Sequence, residues 1–240
     1  MPRFFTQEIS DTHGKIVGSD AVHISRVLRM KIGEKITVCD LNGYDYDCVI
    51  TSFSADEVEF DVVDKHLSSC EPDLLVTLYM AFPKSDKFEL IVQKCVELGV
   101  DKIVPVISAR CIARPDEKSS AKKIERYNKI AYEAAKQCGR AKIPKVEEFV
   151  DFKTALWLAK QSEIAMLFYE KGGQGVAKIL KNKPKSVALF VGSEGGFEEY
   201  EAKQAEENGI ELAYLGPRIL RCETAAIAAT ATVMFATGNL

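Results

Sequence analysis

From residue 74 onward the chain alternates short apolar runs with amphipathic stretches, and this alternation restricts the fold more than any other feature. Residues 74–81 form a continuous apolar run, as a strand covered on both faces requires. Phe88, Ile91, Cys95 and Leu98 then recur at helical spacing within 86–98, and Gly99 supplies a helix-ending glycine. Lys102–Ile107, 164–169, 187–191 and 212–215 read as further strands. Helices are predicted over 119–138, near 174–182, over 198–208 and over 222–237. Ile124, Tyr127, Ala131, Ala134 and Cys138 share one face of the 119–138 helix. Strands alternating with helices predict an α/β fold with a mainly parallel sheet and helices on both faces.

The first seventy residues differ. Tyr44, Tyr46, Cys48 and Ile50 alternate with polar residues, as do Val58, Phe60 and Val62, the mark of half-buried strands. Asn42-Gly43 between two such runs predicts a type I′ hairpin. A short helix is expected from Ser19 as N-cap to Arg29. A small barrel of roughly five strands fits this pattern. Leu67-Ser68-Ser69-Cys70-Glu71-Pro72 marks the boundary, giving domains 1–72 and 73–240. Charge divides along the same line: 7 Lys and Arg against 13 Asp and Glu before it, 25 against 22 after it, for a net −3. A polyanion would therefore meet local basic stripes and no general basic surface.

Seven scattered cysteines without a CxxC pair suit reduced thiols and no metal site. The opening Met1-Pro2-Arg3-Phe4-Phe5-Thr6 does not read as a signal peptide, and no apolar run has bilayer length. A cytoplasmic protein without membrane contact is expected.

Three strand ends lead into glycine-containing loops: Tyr169-Glu170-Lys171-Gly172-Gly173-Gln174-Gly175, 192–197 and 216–221. In open α/β sheets, ligands bind beyond the carboxyl ends of strands, where glycines let backbone approach closely. There is no GxxxxGK[ST] and no GxGxxG after a first strand, so phosphate-cradling sites are disfavoured. A nucleoside-like ligand without a pyrophosphate suits such loops.

The residues that decide the resemblance are Gly192-Ser193-Glu194-Gly195-Gly196-Phe197 and Leu215-Gly216-Pro217-Arg218-Ile219-Leu220-Arg221-Cys222-Glu223-Thr224-Ala225. With them go Arg3-Phe4-Phe5, His23, Val27-Leu28-Arg29, Lys84, Lys87, Gln93-Lys94, Glu97-Leu98-Gly99-Val100, Gln137, Arg140 and Pro144. By these motifs, over nearly its whole length, the chain resembles the ribosomal RNA small subunit methyltransferase E family of the SPOUT class. The resemblance implies a deep C-terminal trefoil knot, an N-terminal barrel similar to the PUA fold, and a homodimer. It implies S-adenosylmethionine as methyl donor and N3 of a uridine in 16S ribosomal RNA of the small subunit as acceptor, with no DNA substrate. It places the cofactor on Leu167, Phe168 and Tyr169, on Val191, Gly192, Ser193, Gly195 and Gly196, and on Leu215, Gly216, Ile219, Leu220 and Thr224. Ser193, Lys136 and Cys222 depart from the family's usual proline, glutamate and threonine. A transfer-RNA ribose 2′-O-methyltransferase of the same class and a non-catalytic RNA-binding or ribosome-assembly protein are the alternatives.

Removing the uracil N3 proton needs a base or stabilisation of the anion. Glu194 and Glu223 are the candidate bases and Arg221 the candidate anion stabiliser. Glu194 equally suits a helix start, Glu223 a cap or a partner for Arg218, and Arg221 an ion pair with either glutamate. Cys222 reads as a small buried residue, since N3 methylation needs no covalent adduct.

RNA contacts are expected from Arg3, Phe4, His23, Arg26 and Arg29 in the first domain and from Lys84 and Lys94 in the second. Lys122, Arg126, Lys129, Glu133, Lys136 and Arg140 recur on one face of the 119–138 helix and its exit, and Lys142 and Lys145 follow. That face suits either phosphate contact or plain solvation.

Overall fold

The computed structural model describes residues 1–240. They form two compact units, Met1–Glu71 with Ala135–Ile143, and Pro72–Ala134 with Pro144–Leu240. The expected single cut after residue 72 thus overlooks a later segment that belongs with the N-terminal strands.

In the first unit, β1 (Arg3–Phe5), β2 (His13–Val17), β3 (Lys35–Cys39), β4 (Tyr44–Phe53) and β5 (Glu57–Leu67) make one sheet in the order β1-β3-β4-β5-β2. β1 runs parallel to β3, and the other pairs are antiparallel. Register shifts after Asp47 and Ile50 bend β4 and curl the sheet. Period-2 alternation turns Ile36, Val38, Tyr46, Cys48, Ile50, Val58 and Phe60 inward onto Phe4, Ile16 and Ile24. Tyr44, expected on that face, is exposed.

Two local expectations are corrected here. The β3–β4 connection is not a two-residue turn at Asn42-Gly43. The Asp40 carboxylate accepts from the N–H groups of Asn42 (2.7 Å) and Tyr44 (3.1 Å), so Leu41 and Gly43 take positive φ instead. The 19–29 helix is α1 (Ser19–Val22) followed by a π-helical turn His23–Val27, and Gly18 occupies the N-cap. The Ser25 hydroxyl donates back to the carbonyls of Ala21 and Val22, competing with the helical ladder.

Buried charge explains why 135–143 joins this unit. Arg140 is nearly inaccessible and pairs with Glu71 at 2.9 Å. Glu71 also accepts from the backbone N–H groups of Ala141 (2.8 Å) and Lys142 (3.0 Å). Arg3 makes a two-pronged pair with Asp45 at 2.6 Å and donates to the Arg140 carbonyl. Lys136 meets Asp20 at 2.7 Å and lies over the Phe4 ring.

The second unit holds an all-parallel sheet of β6 (Leu75–Ala81), β7 (Lys102–Ile107), β8 (Lys145–Val146), β9 (Val150–Asp151), β10 (Ile164–Phe168), β11 (Gln174–Gly175), β12 (Ser186–Val191) and β13 (Glu211–Tyr214). Its order is β11-β13-β10-β12-β6-β7-β8, with β9 also on β7. The helices are α2 (Lys87–Glu97), α3 (Glu117–Cys138, of which the part from Ala135 belongs to the first unit), α4 (Phe152–Ala159), α5 (Val176–Ile179), α6 (Glu199–Glu207) and α7 (Cys222–Thr237). Near 174–182 only one helical turn forms, because Gln174 and Gly175 pair with β13. Sequence reading missed α4, although Asp151 caps it through the Thr154 N–H at 2.7 Å and Phe152, Ala155, Leu156 and Ala159 are buried at helical spacing.

Glu71→Ala leaves the Arg140 guanidinium buried without its carboxylate and two N–H groups without their acceptor. The expected loss is about 3–5 kcal/mol of unfolding free energy, read from the urea midpoint; a loss under about 1 kcal/mol would mean that the pair contributes little.

Candidate functional site

β10 hydrogen-bonds to β12 on one side and to β13 on the other, so the carboxyl ends of these three parallel strands are neighbours. Beyond them lies a cavity of about 300 Å³. Its wall comes from Phe168, Tyr169 and Glu170 at the end of β10 and beyond, from 191–196 at the end of β12 and beyond, from Tyr214, Leu215, Gly216, Arg218, Ile219 and Leu220 at the end of β13 and beyond, and from Cys222 and Ala225 of α7. Every expected cofactor residue lines it except two. Leu167 is sealed inside the sheet, and Thr224 is exposed on the first turn of α7.

The 192–196 turn is built from backbone contact. Gly196 has φ +66° and its N–H donates to the Ser193 carbonyl at 2.9 Å. A Cβ on Gly192 would sit 2.8 Å from the Gly196 Cα, so only glycine lets the two arms close. Two hydroxyls at this cavity, Tyr169 Oη and Ser193 Oγ, are buried and have no hydrogen-bond partner within the protein. Buried polar atoms are normally satisfied, so these two stand out among the residues that line the cavity.

Beside the cavity stands a charged cluster. Lys87 Nζ lies 2.8 Å from Glu194 and 3.8 Å from Glu223. The Lys84 N–H donates to Glu194 at 3.1 Å, and the Cys222 thiol to Glu223 at 3.2 Å. Burial pushes the Glu194 pKa up, but the Lys87 ammonium and nearby N–H groups outweigh it, and the net shift is downward. Glu223 is also lowered, first by its own backbone N–H and then by Cys222, Lys87 and Arg221 against the opposing burial. The Cys222 thiol is pushed up to about 12, first by burial and then by its bond to Glu223. That suits the inert reading of Cys222.

Arg221 is the exposed N-cap residue of α7, and no carboxylate lies within ion-pair distance of it or of Arg218. Glu223 therefore pairs with Lys87 and not with Arg218. Sequence reasoning missed Lys87 and Arg110 as parts of this site. Lys87 carries no local signal, since its partners lie more than 100 positions away. The capping box of Glu198 and Glu201 ahead of α6 was the one readable sign of the network around Arg110.

These features meet in comparisons with known proteins. A family model described as an RNA methyltransferase domain matches residues 70–234, and one described as an RNA methyltransferase PUA domain matches 18–63. The Bacillus subtilis ribosomal RNA small subunit methyltransferase E is 33% identical over 229 residues, covering 92% of this chain and 90% of that protein. The chain belongs to the ribosomal RNA small subunit methyltransferase E family. The Aquifex aeolicus member is 30% identical, over 87% of this chain and 89% of its own. The crystal structure of the Neisseria gonorrhoeae member, bound to S-adenosyl methionine, superposes with a TM-score of 0.87 at 32% identity, covering 98% of this chain and 97% of that one.

The RNA candidates fare unevenly against this family background. Phe4 is fully buried in the first core, and Arg3, Lys136 and Arg140 are held in ion pairs. Their charges are neutralised in place, so they offer no free stripe. Lys94 pairs with Glu97 and Arg126 with Glu89. His23 is half-buried beside Phe4. Arg26, Arg29, Lys84, Lys122, Lys129 and Lys142 remain exposed, with no carboxylate in ion-pair range.

Two outcomes follow from the cluster. Glu194 contributes stability that is complete above the ordinary glutamate pKa of about 4.3 and is lost as pH falls through its lowered folded-state value. Glu194→Gln should therefore flatten the acid limb of a Tm–pH profile relative to wild type; superimposable limbs would show the Lys87 pair to be energetically silent. In the native protein at pH 8, iodoacetamide should label exposed Cys70 and spare Cys222, as read by peptide mass spectrometry; early labelling of Cys222 would contradict its raised pKa and burial.

Proposed function

We propose that this protein transfers a methyl group from S-adenosylmethionine to N3 of a uridine in 16S ribosomal RNA. The observation that carries the reading is the backbone-lined cavity with its two unpartnered hydroxyls, Tyr169 Oη and Ser193 Oγ, in a chain of this family. The donor set fits a nucleoside cofactor without a pyrophosphate. Phe168, Val191, Leu215 and Leu220 give apolar walls, and the glycine loops give backbone N–H and C=O groups. When bound, the cofactor supplies a methyl group made electrophilic by its sulfonium.

The remaining task is the N3 proton. Glu194 and Glu223 are already ionised and bind protons more weakly than ordinary glutamates. Such groups gain little by abstracting an imide proton at neutral pH. The reading that fits is anion stabilisation: the exposed Arg221 guanidinium donates to a uracil carbonyl oxygen as charge develops there, and the proton passes to water. Glu194 and Glu223 act on Lys87, holding α2 and the start of α7 in register.

Arg26, Arg29, Lys84, Lys122 and Lys129 are the exposed cations suited to phosphate contact, which positions RNA without reading its sequence. The target uridine must be unstacked to reach the cavity. Family membership also supports a deep trefoil knot through the three strand ends, closure of the N-terminal sheet as a PUA-like barrel, a cytoplasmic setting and a homodimer. Ala225, Ala228 and Ala231, with exposed Phe235, give α7 a small-residue face suited to close contact with a second copy.

Incubation with S-adenosylmethionine and small ribosomal subunits, followed by digestion to nucleosides, should yield 3-methyluridine; a ribose-methylated product would overturn the assignment. Arg221→Ala should lower the methylation rate by about 10²–10³ while calorimetry shows nearly unchanged cofactor affinity. Equal losses in both would make Arg221 a structural residue.

A further inference from the structure

The loop that leaves β7 is built as a bracket against the 192–196 turn. Ser108 and Cys111 are buried, and the Arg114 guanidinium donates to the carbonyls of Ser108, Ala109 and Cys111 at 3.3–3.4 Å. Between them, Arg110 reaches across to the glycine turn. Its Nη1 donates to the Gly195 carbonyl at 2.6 Å, and its Nε lies 2.8 Å from the Glu198 carboxylate. The aliphatic stem lies flat on Gly195, where an added Cβ would stand 3.1 Å from the Arg110 Cβ. Buried Glu201 ties the same two segments together, accepting from the N–H groups of Ala109 (2.8 Å) and Glu198 (2.9 Å).

The ion pair itself is partly exposed and contributes little on its own. The bond to Gly195 has a different consequence. A peptide group is planar, so fixing the Gly195 carbonyl fixes the plane of the whole 195–196 peptide. That peptide is part of the cavity wall; its Gly196 N–H bonds the Ser193 carbonyl at 2.9 Å, so the bond from Arg110 fixes its other end, where Gly196, with its positive φ, has no side chain to add restraint. We infer that Arg110 is a positioning residue for the cofactor: it holds the Gly195–Gly196 peptide in the orientation that receives the ligand. The inference rests on the methyltransferase reading above.

The test is calorimetric titration of the full-length protein with S-adenosylmethionine, alongside steady-state methylation. Arg110→Ala should raise the cofactor Kd about tenfold, as loss of a charge-assisted hydrogen bond does. The KM for cofactor should rise in parallel, with kcat at saturation within about threefold of wild type. Arg110→Met keeps the stem on Gly195, removes every donor and should show the same rise; it carries the test alone if Arg110→Ala does not fold. An unchanged Kd in Arg110→Met, or a fall in kcat with KM unchanged, overturns the inference. Failure of the wild-type protein to bind S-adenosylmethionine overturns the methyltransferase reading instead, so the two failures are distinct.

Discussion

The backbone contact between Gly192 and Gly196 is the constraint on which the site depends. Parallel pairing of β10 with both β12 and β13 brings three strand ends together, but adjacency alone gives only a row of loops. The row becomes a cavity because the chain leaving β12 folds back on itself within five residues, with Cα atoms too close for any side chain between them. The fold-back places residues 193–196 along the cavity wall and directs Glu194 to Lys87 on α2. One tight turn therefore sets both the ligand wall and the charged cluster beside it.

Charge plays two separate parts in this chain. In the first unit, Arg3, Arg140 and Lys136 are each matched by a carboxylate and largely withdrawn from water. Breaking such pairs is costly because the surviving charge stays buried, which makes them fasteners for 135–143 and no reservoir for binding a polyanion. On α3 the outward lysines 122 and 129 stay solvated. Their long-range attraction for phosphate is retained and depends on salt.

That division was the part least legible in the sequence. The apolar run that became β6, the helix ending at Gly99 and the three glycine loops were readable because each signal lies within one local window. The charge stripe on α3 was equally regular, yet its period cannot reveal partners. Asp20 lies 116 positions from Lys136, and Glu71 lies 69 from Arg140. The β3–β4 turn misled for the opposite reason. Asn42-Gly43 is a strong hairpin signal, but the neighbouring Asp40 carboxylate offered the backbone a better set of bonds. Helix α4 shows that a readable signal can still be overlooked, since its Asp151 cap and its 3–4 apolar spacing are both local. For the site, motif likeness located the loops and included Lys87 without a role, whereas the pairing of Lys87 with Glu194 and Glu223, and the part of Arg110, became visible only once the sheet had brought distant segments together.

The cluster at the cavity edge constrains the chemistry by its charge balance. Two carboxylates, Glu194 and Glu223, face one ammonium, Lys87, leaving about one net negative charge among these three groups, with the Arg221 guanidinium next to them. The lowered pKa values of both glutamates hold that charge throughout the neutral range. A negative edge favours a cationic ligand and opposes a second anion in the same place. Under the proposed function, a uracilate forming there would be repelled unless its charge were met by a cation not already engaged. Lys87 is committed to both glutamates, whereas Arg221 is one residue from the cluster and has no carboxylate partner. Under the proposed function, the arrangement that suits a positively charged methyl donor also leaves Arg221 as the cation available to an anionic acceptor.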